Sequence, residues 1–285
     1  MTREDLFHAV AKWGSAFTPE MIQGTISLYA PLAIEPEESR VTRDIAYGPH
    51  ERHKLDVFRP EAGPPAPCLL FVHGGGFVGG DKGKAGDPFH NHIGAWAARA
   101  GFVGATMTYR LAPEARWPDG RDDVIAAVSH LAANADEYGI APGKIVLMGV
   151  SAGARHVADV VANPGNADGA FAGAAMISGI YDLRLAEVDH YKPQYYGADP
   201  GGWPLASSKA ALAQTTLPCL FTISELDPPD FQKQAFALVQ ARVAETGHWP
   251  RMHWLARHNH ISSTSQIGCE HDDLGPIIEE FVRSV

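Results

Sequence analysis

The chain has 285 residues and only three cysteines, Cys68, Cys219 and Cys269. So odd and sparse a set builds no disulfide framework, and a reduced, cytoplasmic setting is expected. Basic charge is also short. Lys and Arg number 23 against 33 Asp and Glu, a formal net charge of -10. Such a surface repels phosphate backbones, and no basic run reverses it locally, so nucleic acid is not an expected partner. Long apolar runs are missing too. No stretch is long enough to span a bilayer, so no membrane association is expected. The first residues alternate apolar and polar without the apolar region of a signal peptide, and none is expected.

What is present suits a large core without disulfides or metals: 45% of residues are hydrophobic and 20% charged. Residues 43–47 and 54–58 alternate in polarity and predict two strands joined at Gly48-Pro49. Continuous apolar runs at 68–72, 102–107, 145–148, 172–177 and 220–223 predict strands buried on both faces, with 252–255 a weaker strand. Helical patterns at 88–100, 120–137, 152–163, 230–245 and 272–283 fall between them. The expected fold class is therefore α/β, a mostly parallel central sheet with helices on both faces. Right-handed crossovers would bring successive strand ends to one edge, where sites form.

One domain over 1–285 is expected, with cap elements from 1–40 and 181–210. Leu6, Phe7, Val10, Trp13 and Phe17 recur at helical spacing, and Thr18-Pro19-Glu20 reads as an N-cap with Pro at the first helical position. This arm reads either as packing on the core or as a lid over a site. Residues 181–210 are rich in Tyr, Pro and Gly, the composition of a functional insertion.

The strand pattern ending at Met148 runs into Gly149-Val150-Ser151-Ala152-Gly153 and then into a helical pattern. A sharp strand-to-helix turn needs glycine where a Cβ would strike neighbouring backbone, and it lifts the serine oxygen into the open. Ser151 is the expected nucleophile, and it needs a base to take its proton. His73-Gly74-Gly75-Gly76-Phe77 follows another strand and suits convergent N–H groups that hold an oxyanion. A phosphate loop is the weaker reading there, since no Gly-Lys-Ser/Thr follows. His73 precedes the nucleophile and is expected to orient the loop. Asp227 is the expected acid, with Glu225 and Asp230 as alternatives. His260 is expected as base ahead of His258, and His253 is expected to be packed in its strand. A zinc site on His258 and His260 lacks a third ligand, so neither metal nor cofactor is expected.

These motifs resemble the hormone-sensitive-lipase-like branch of the α/β-hydrolase superfamily, with its small bacterial carboxylesterases and kynurenine-formamidase-like members. His73 to Phe77 is similar to the branch's oxyanion motif, Tyr109-Arg110-Leu111-Ala112-Pro113-Glu114 to its motif after the fourth strand, and Gly149 to Gly153 to its elbow. Asn259-His260 sits where its base belongs. The sequence departs from the family pattern at Thr108, Val150 and Ala154. The resemblance implies oxyanion donors at Gly75, Gly76 and Ala152. It also implies a serine hydrolase that cleaves short-chain or aromatic carboxylic esters through an acyl-enzyme. Arylformamide or amide hydrolysis by the same triad is the alternative, and a non-catalytic receptor on the same fold is a further one. The expected partner is a small-molecule ester, with a homodimer compatible with the chain. Trp13, Phe77, Tyr195, Tyr196 and Trp203 are expected to line the pocket.

Overall fold

The computed structural model describes residues 1–285. Eight strands form one sheet: β1 (Val41–Ala46), β2 (Lys54–Phe58), β3 (Ala66–Val72), β4 (Val103–Met107), β5 (Ile140–Val150), β6 (Gly173–Ile177), β7 (Cys219–Leu226) and β8 (Arg251–Asn259). Their order across the sheet is β1-β2-β4-β3-β5-β6-β7-β8. Only β2 runs against its neighbours; from β4 to β8 every pairing is parallel. The sheet is thus the mostly parallel one expected.

Eleven helices accompany it: α1 (Arg3–Ala11), α2 (Pro19–Tyr29), α3 (Asn91–Arg99), α4 (Asp119–Ala133), α5 (Ala135–Tyr138), α6 (Ala152–Ala162), α7 (Lys192–Tyr196), α8 (Lys209–Gln214), α9 (Pro229–Thr246), α10 (Ser262–Ser265) and α11 (Gly275–Ser284). None is long and apolar enough to cross a membrane. The continuous apolar runs are explained by two cores. Alternate side chains of β3, β5 and β6 (Cys68, Leu70, Val72; Ile145, Leu147; Ala174, Met176) pack with α4 and α6 on one face. Their neighbours (Leu69, Phe71; Val146, Met148; Ala175, Ile177) pack with α3 and α11 on the other. A strand covered twice has no polar face to show, which is why its sequence does not alternate.

Thr18 caps α2 as its sequence predicts, its hydroxyl accepting from the Met21 N–H at 3.2 Å. Elsewhere the elements outrun their apolar patterns. β5 begins at Ile140 rather than near 144, and β7 and β8 continue to Leu226 and Asn259. β8 is an edge strand with Trp254 and Arg257 exposed, so its pattern is not that of a buried strand. The predicted helix over 120–137 is broken at Asn134 into α4 and α5.

Candidate active site

The parallel strands deliver their C-terminal ends to one edge of the sheet. After Val150 the chain turns at Ser151 with φ +55° and ψ -118° and enters α6 at Ala152. A non-glycine residue held there costs roughly 1–3 kcal/mol and persists only where its surroundings fix it. The Ser151 N–H donates to the Ile177 carbonyl on β6, and the Ser151 carbonyl accepts from Arg155, both at 3.0 Å. The flanking glycines are steric requirements. A Cβ on Gly153 would overlap the carbonyl oxygen of Val72, and one on Gly149 the carbonyl of Gly153. As the first residue of α6, Ala152 has an N–H with no partner inside the helix, at the helix's positive end.

The loop after β3 approaches from the side. Gly75 has φ +119°, beyond the reach of residues with a Cβ. The Tyr191 ring lies directly over Gly76, where an added Cβ would come within 2.9 Å of it. His73 is fully buried, stacks on Tyr109 at 4.3 Å, and has Nδ1 2.6 Å from the Gly74 carbonyl. Burial holds its pKa well below the ordinary value, so the ring is neutral and Nδ1–H is the donor. The Tyr109 hydroxyl donates to the His73 carbonyl at 3.0 Å. Arg110 grips buried Asp123 at 2.7 Å, and Asp123 also lies 3.1 Å from His53 Nε2. The Tyr-Arg motif thus braces the glycine loop from behind.

Asp227 follows β7 directly. Its Oδ1 lies 2.6 Å from His260 Nδ1, and both side chains are buried. Beside a carboxylate, Nδ1 carries the hydrogen and Nε2 is left as an acceptor. His260 Nε2 is buried and has no partner within the protein. The two other carboxylates of this stretch have different roles. Glu225 lies on β7, not in a loop, and accepts from the Arg257 N–H at 2.6 Å. Asp230 sits in the first turn of α9 and pairs with buried Lys192 at 3.1 Å. His258 contacts Ser262 and Asp273, and His253 is a half-buried residue of β8. Asn259 caps the turn that carries His260: its Oδ1 accepts from the N–H groups of Ile261 at 3.1 Å and Ser262 at 2.9 Å.

Ser151, His260, Gly75, Gly76 and Ala152 all line one cavity of about 700 Å³, within the range for small-molecule sites. Phe17, Ile22 and Ile26 of the N-terminal arm form part of its wall, while Met21, Thr25 and Tyr29 on the other face of α2 are buried. The arm therefore both packs and lines. Of the five aromatics expected in the pocket only Phe77 borders it; the other four need correction. Trp13 packs its ring against Gly24 of α2. Tyr195 is buried, stacked on Phe77 at 4.5 Å, with its hydroxyl accepting from the Gly120 N–H. The Tyr196 hydroxyl accepts from Arg155, and Trp203 donates its indole N–H to the Gly197 carbonyl. All three polar tips are satisfied inside the 181–210 segment or against the core, which turns their rings away from the cavity. The aromatic walls missed by sequence reasoning are Tyr191, Phe89 and Phe231. Tyr191 was within reach of it, since it belongs to the same aromatic-rich insertion.

Residues 55–183 match the BD-FAE family model. Esterase LipQ of Mycobacterium tuberculosis is 30% identical over 221 residues, covering 69% of this chain and 52% of LipQ. Ethyl acetate hydrolase of Pseudomonas putida is 29% identical over 248 residues, covering 75% of each. These matches support an α/β-hydrolase of the hormone-sensitive-lipase-like esterase branch. The chain spans about half the length of LipQ, and its match to esterase LipC from the same organism covers 27% of that protein. In fold, the hyperthermophilic esterase of the archaeon Pyrobaculum calidifontis superposes with a TM-score of 0.74 at 21% identity, covering 99% of this chain and 96% of its own. The carboxylesterase EstE1 from a metagenomic library gives 0.69 at 20% identity, covering 93% and 95%.

Proposed function

We propose that this α/β-hydrolase cleaves short-chain or aromatic carboxylic esters by acyl transfer through Ser151. The observation that carries the reading is the pairing of Asp227 with His260 Nδ1 at 2.6 Å, while the free Nε2 belongs to a residue lining the same cavity as Ser151. Ser151 Oγ attacks the ester carbonyl as His260 Nε2 takes its proton. The N–H groups of Gly75, Gly76 and Ala152 receive the oxyanion, a preorganised arrangement that gains strength where water is excluded. Asp227 holds the imidazole in the required tautomer and stabilises its cationic form. His260 then protonates the leaving alcohol, and water releases the acyl group by the reverse sequence.

The cap is drawn from residues 1–40 and 181–210. Its cavity-facing side chains include Phe17, Ile22 and Ile26 on one side and Val188 and Tyr191 on the other, which favours a small acyl or aryl group over a long lipid. Ester is preferred to amide because the relatives bear ester-hydrolase names. The three free cysteines fit a reduced, cytoplasmic setting. Turnover of p-nitrophenyl acetate and butyrate tests the reaction. Ser151→Ala is expected to lower kcat by about 10⁴-fold or more, and undiminished turnover would overturn the proposal.

A further inference from the structure

β6 ends at Ile177, and the next residue, Ser178, has φ +49°. That left-handed conformation is the one glycine takes without steric cost, while a side chain there costs roughly 1–2 kcal/mol. The neighbouring residue is Gly179, so a glycine is available to the turn, yet the strained position itself carries a serine. Ser178 is fully buried, and its N–H donates to the Thr222 carbonyl on β7 at 3.0 Å. Its hydroxyl donates to Asp227 Oδ2 at 2.6 Å.

The same Oδ2 accepts the Ser224 N–H at 2.7 Å, and the opposite oxygen, Oδ1, meets His260 Nδ1 at 2.6 Å. The carboxylate is thereby held by three donors from three consecutive elements of the sheet's edge: the end of β6, the end of β7 and the turn after β8. Two donors on one oxygen fix the rotation of the carboxylate, which leaves Oδ1 facing the imidazole. A neutral hydroxyl at 2.6 Å from a buried carboxylate is a charge-assisted hydrogen bond, among the stronger kinds. With water excluded, nothing replaces it when it is lost.

We infer that Ser178 is a positioning residue for the acid, its hydroxyl locking the Asp227 carboxylate against His260 and so accounting for a serine at a backbone position suited to glycine. This rests on the triad reading proposed above. Ser178 does not border the cavity, so its loss should act on the chemical step rather than on substrate binding.

Two substitutions separate this role from a structural one, because they move strain and hydroxyl in opposite directions. Ser178→Gly relieves the positive φ and removes the hydroxyl. It is expected to lower kcat by about tenfold or more with KM unchanged, while the melting temperature changes little because the relieved strain offsets the lost hydrogen bond. Ser178→Thr keeps the hydroxyl but places a β-branched side chain at positive φ. It is expected to lower the melting temperature while kcat stays within about threefold of the parent. Both are measured with p-nitrophenyl butyrate beside Ser151→Ala. A parental kcat in Ser178→Gly, or kcat values that simply follow the melting temperatures of the two variants, would overturn the inference. If Ser151→Ala is inactive and Ser178→Gly fully active, only this inference fails. If Ser151→Ala remains active, the triad reading itself fails.

Discussion

Four residues other than glycine hold positive φ at or beyond strand ends, Phe77 after β3, Ser151 after β5, Ser178 after β6 and Arg257 near the end of β8, and of these Phe77 and Ser151 border the cavity. Strain of this kind survives where the fold over-determines it, and it gathers at sites whose geometry must be fixed before the ligand arrives. Asp227 is held by one of these residues, Ser178, together with Ser224 and His260. Asp227→Asn is expected to leave the fold intact and to lower kcat by about 10⁴-fold, because the amide no longer selects the required imidazole tautomer. Circular dichroism with steady-state kinetics checks both halves, and a loss of less than tenfold would speak against the role. At this scale the sequence was unevenly legible. Ser151 and the glycines could be read because a sharp turn tolerates few residue types. Asp227 is the acid the sequence favours over Glu225 and Asp230, and it is the one of the three that the end of β7 brings against His260. Ser178 carried no signal, because a positive φ at a serine is invisible without coordinates.

Among the elements, α2 does more than cover the cavity. Buried Thr25 accepts the Asn259 side-chain N–H at 2.9 Å, and Asn259 forms the turn that carries His260. Phe17 meets the His260 ring edge-on at 5.1 Å. Thr25→Val keeps the shape but leaves the Asn259 side-chain N–H buried without its partner. It should cost about 1–3 kcal/mol in urea unfolding and lower kcat through the looser His260 turn. The 181–210 segment is fixed by another device. Fully buried Arg155 on α6 pairs with Asp159 at 2.5 Å and donates to Ser208, Tyr196 and the Ala206 carbonyl. Arg155→Met leaves Asp159 without its counter-charge and should destabilise by about 3–5 kcal/mol; a change below about 1 kcal/mol would contradict the assignment. The buried strands were readable from their unbroken apolar runs. β7 and β8 exceed their apolar patterns because their polar ends, Ser224-Glu225 and Arg257-His258-Asn259, are extended by ladder and side-chain bonds that no hydropathy pattern records. The aromatics of the insertion were assigned to the wrong side, because composition says that tyrosines are present and not which way a five-residue helix turns them.

The molecule as a whole buries histidines in neutral form. Burial lowers the pKa of His92 and His156 to about 3, and that of His73 well below its ordinary value. The unfolded chain binds protons near pH 6.5 that the folded chain refuses, so this contribution is complete above about pH 6.5 and is lost as pH falls. At about pH 5, His92 and His156 each give up to about 2 kcal/mol of destabilisation. Asp159 opposes them: burial raises its pKa to about 6, which adds stability below that value. Burial likewise lowers His53, His90 and His130 and raises Asp272, so six histidines stand against two carboxylates and the urea midpoint is expected to fall between about pH 6.5 and pH 5. A flat or rising midpoint over that interval would contradict the neutral burial.

The central claim, that Ser151 is an activated nucleophile, is tested most directly by fluorophosphonate labelling read by intact mass and peptide mapping. One adduct per chain on Ser151, absent from Ser151→Ala and strongly slowed in Asp227→Asn, is the expected result. An unlabelled parent protein, or an adduct that persists in Ser151→Ala, would contradict it.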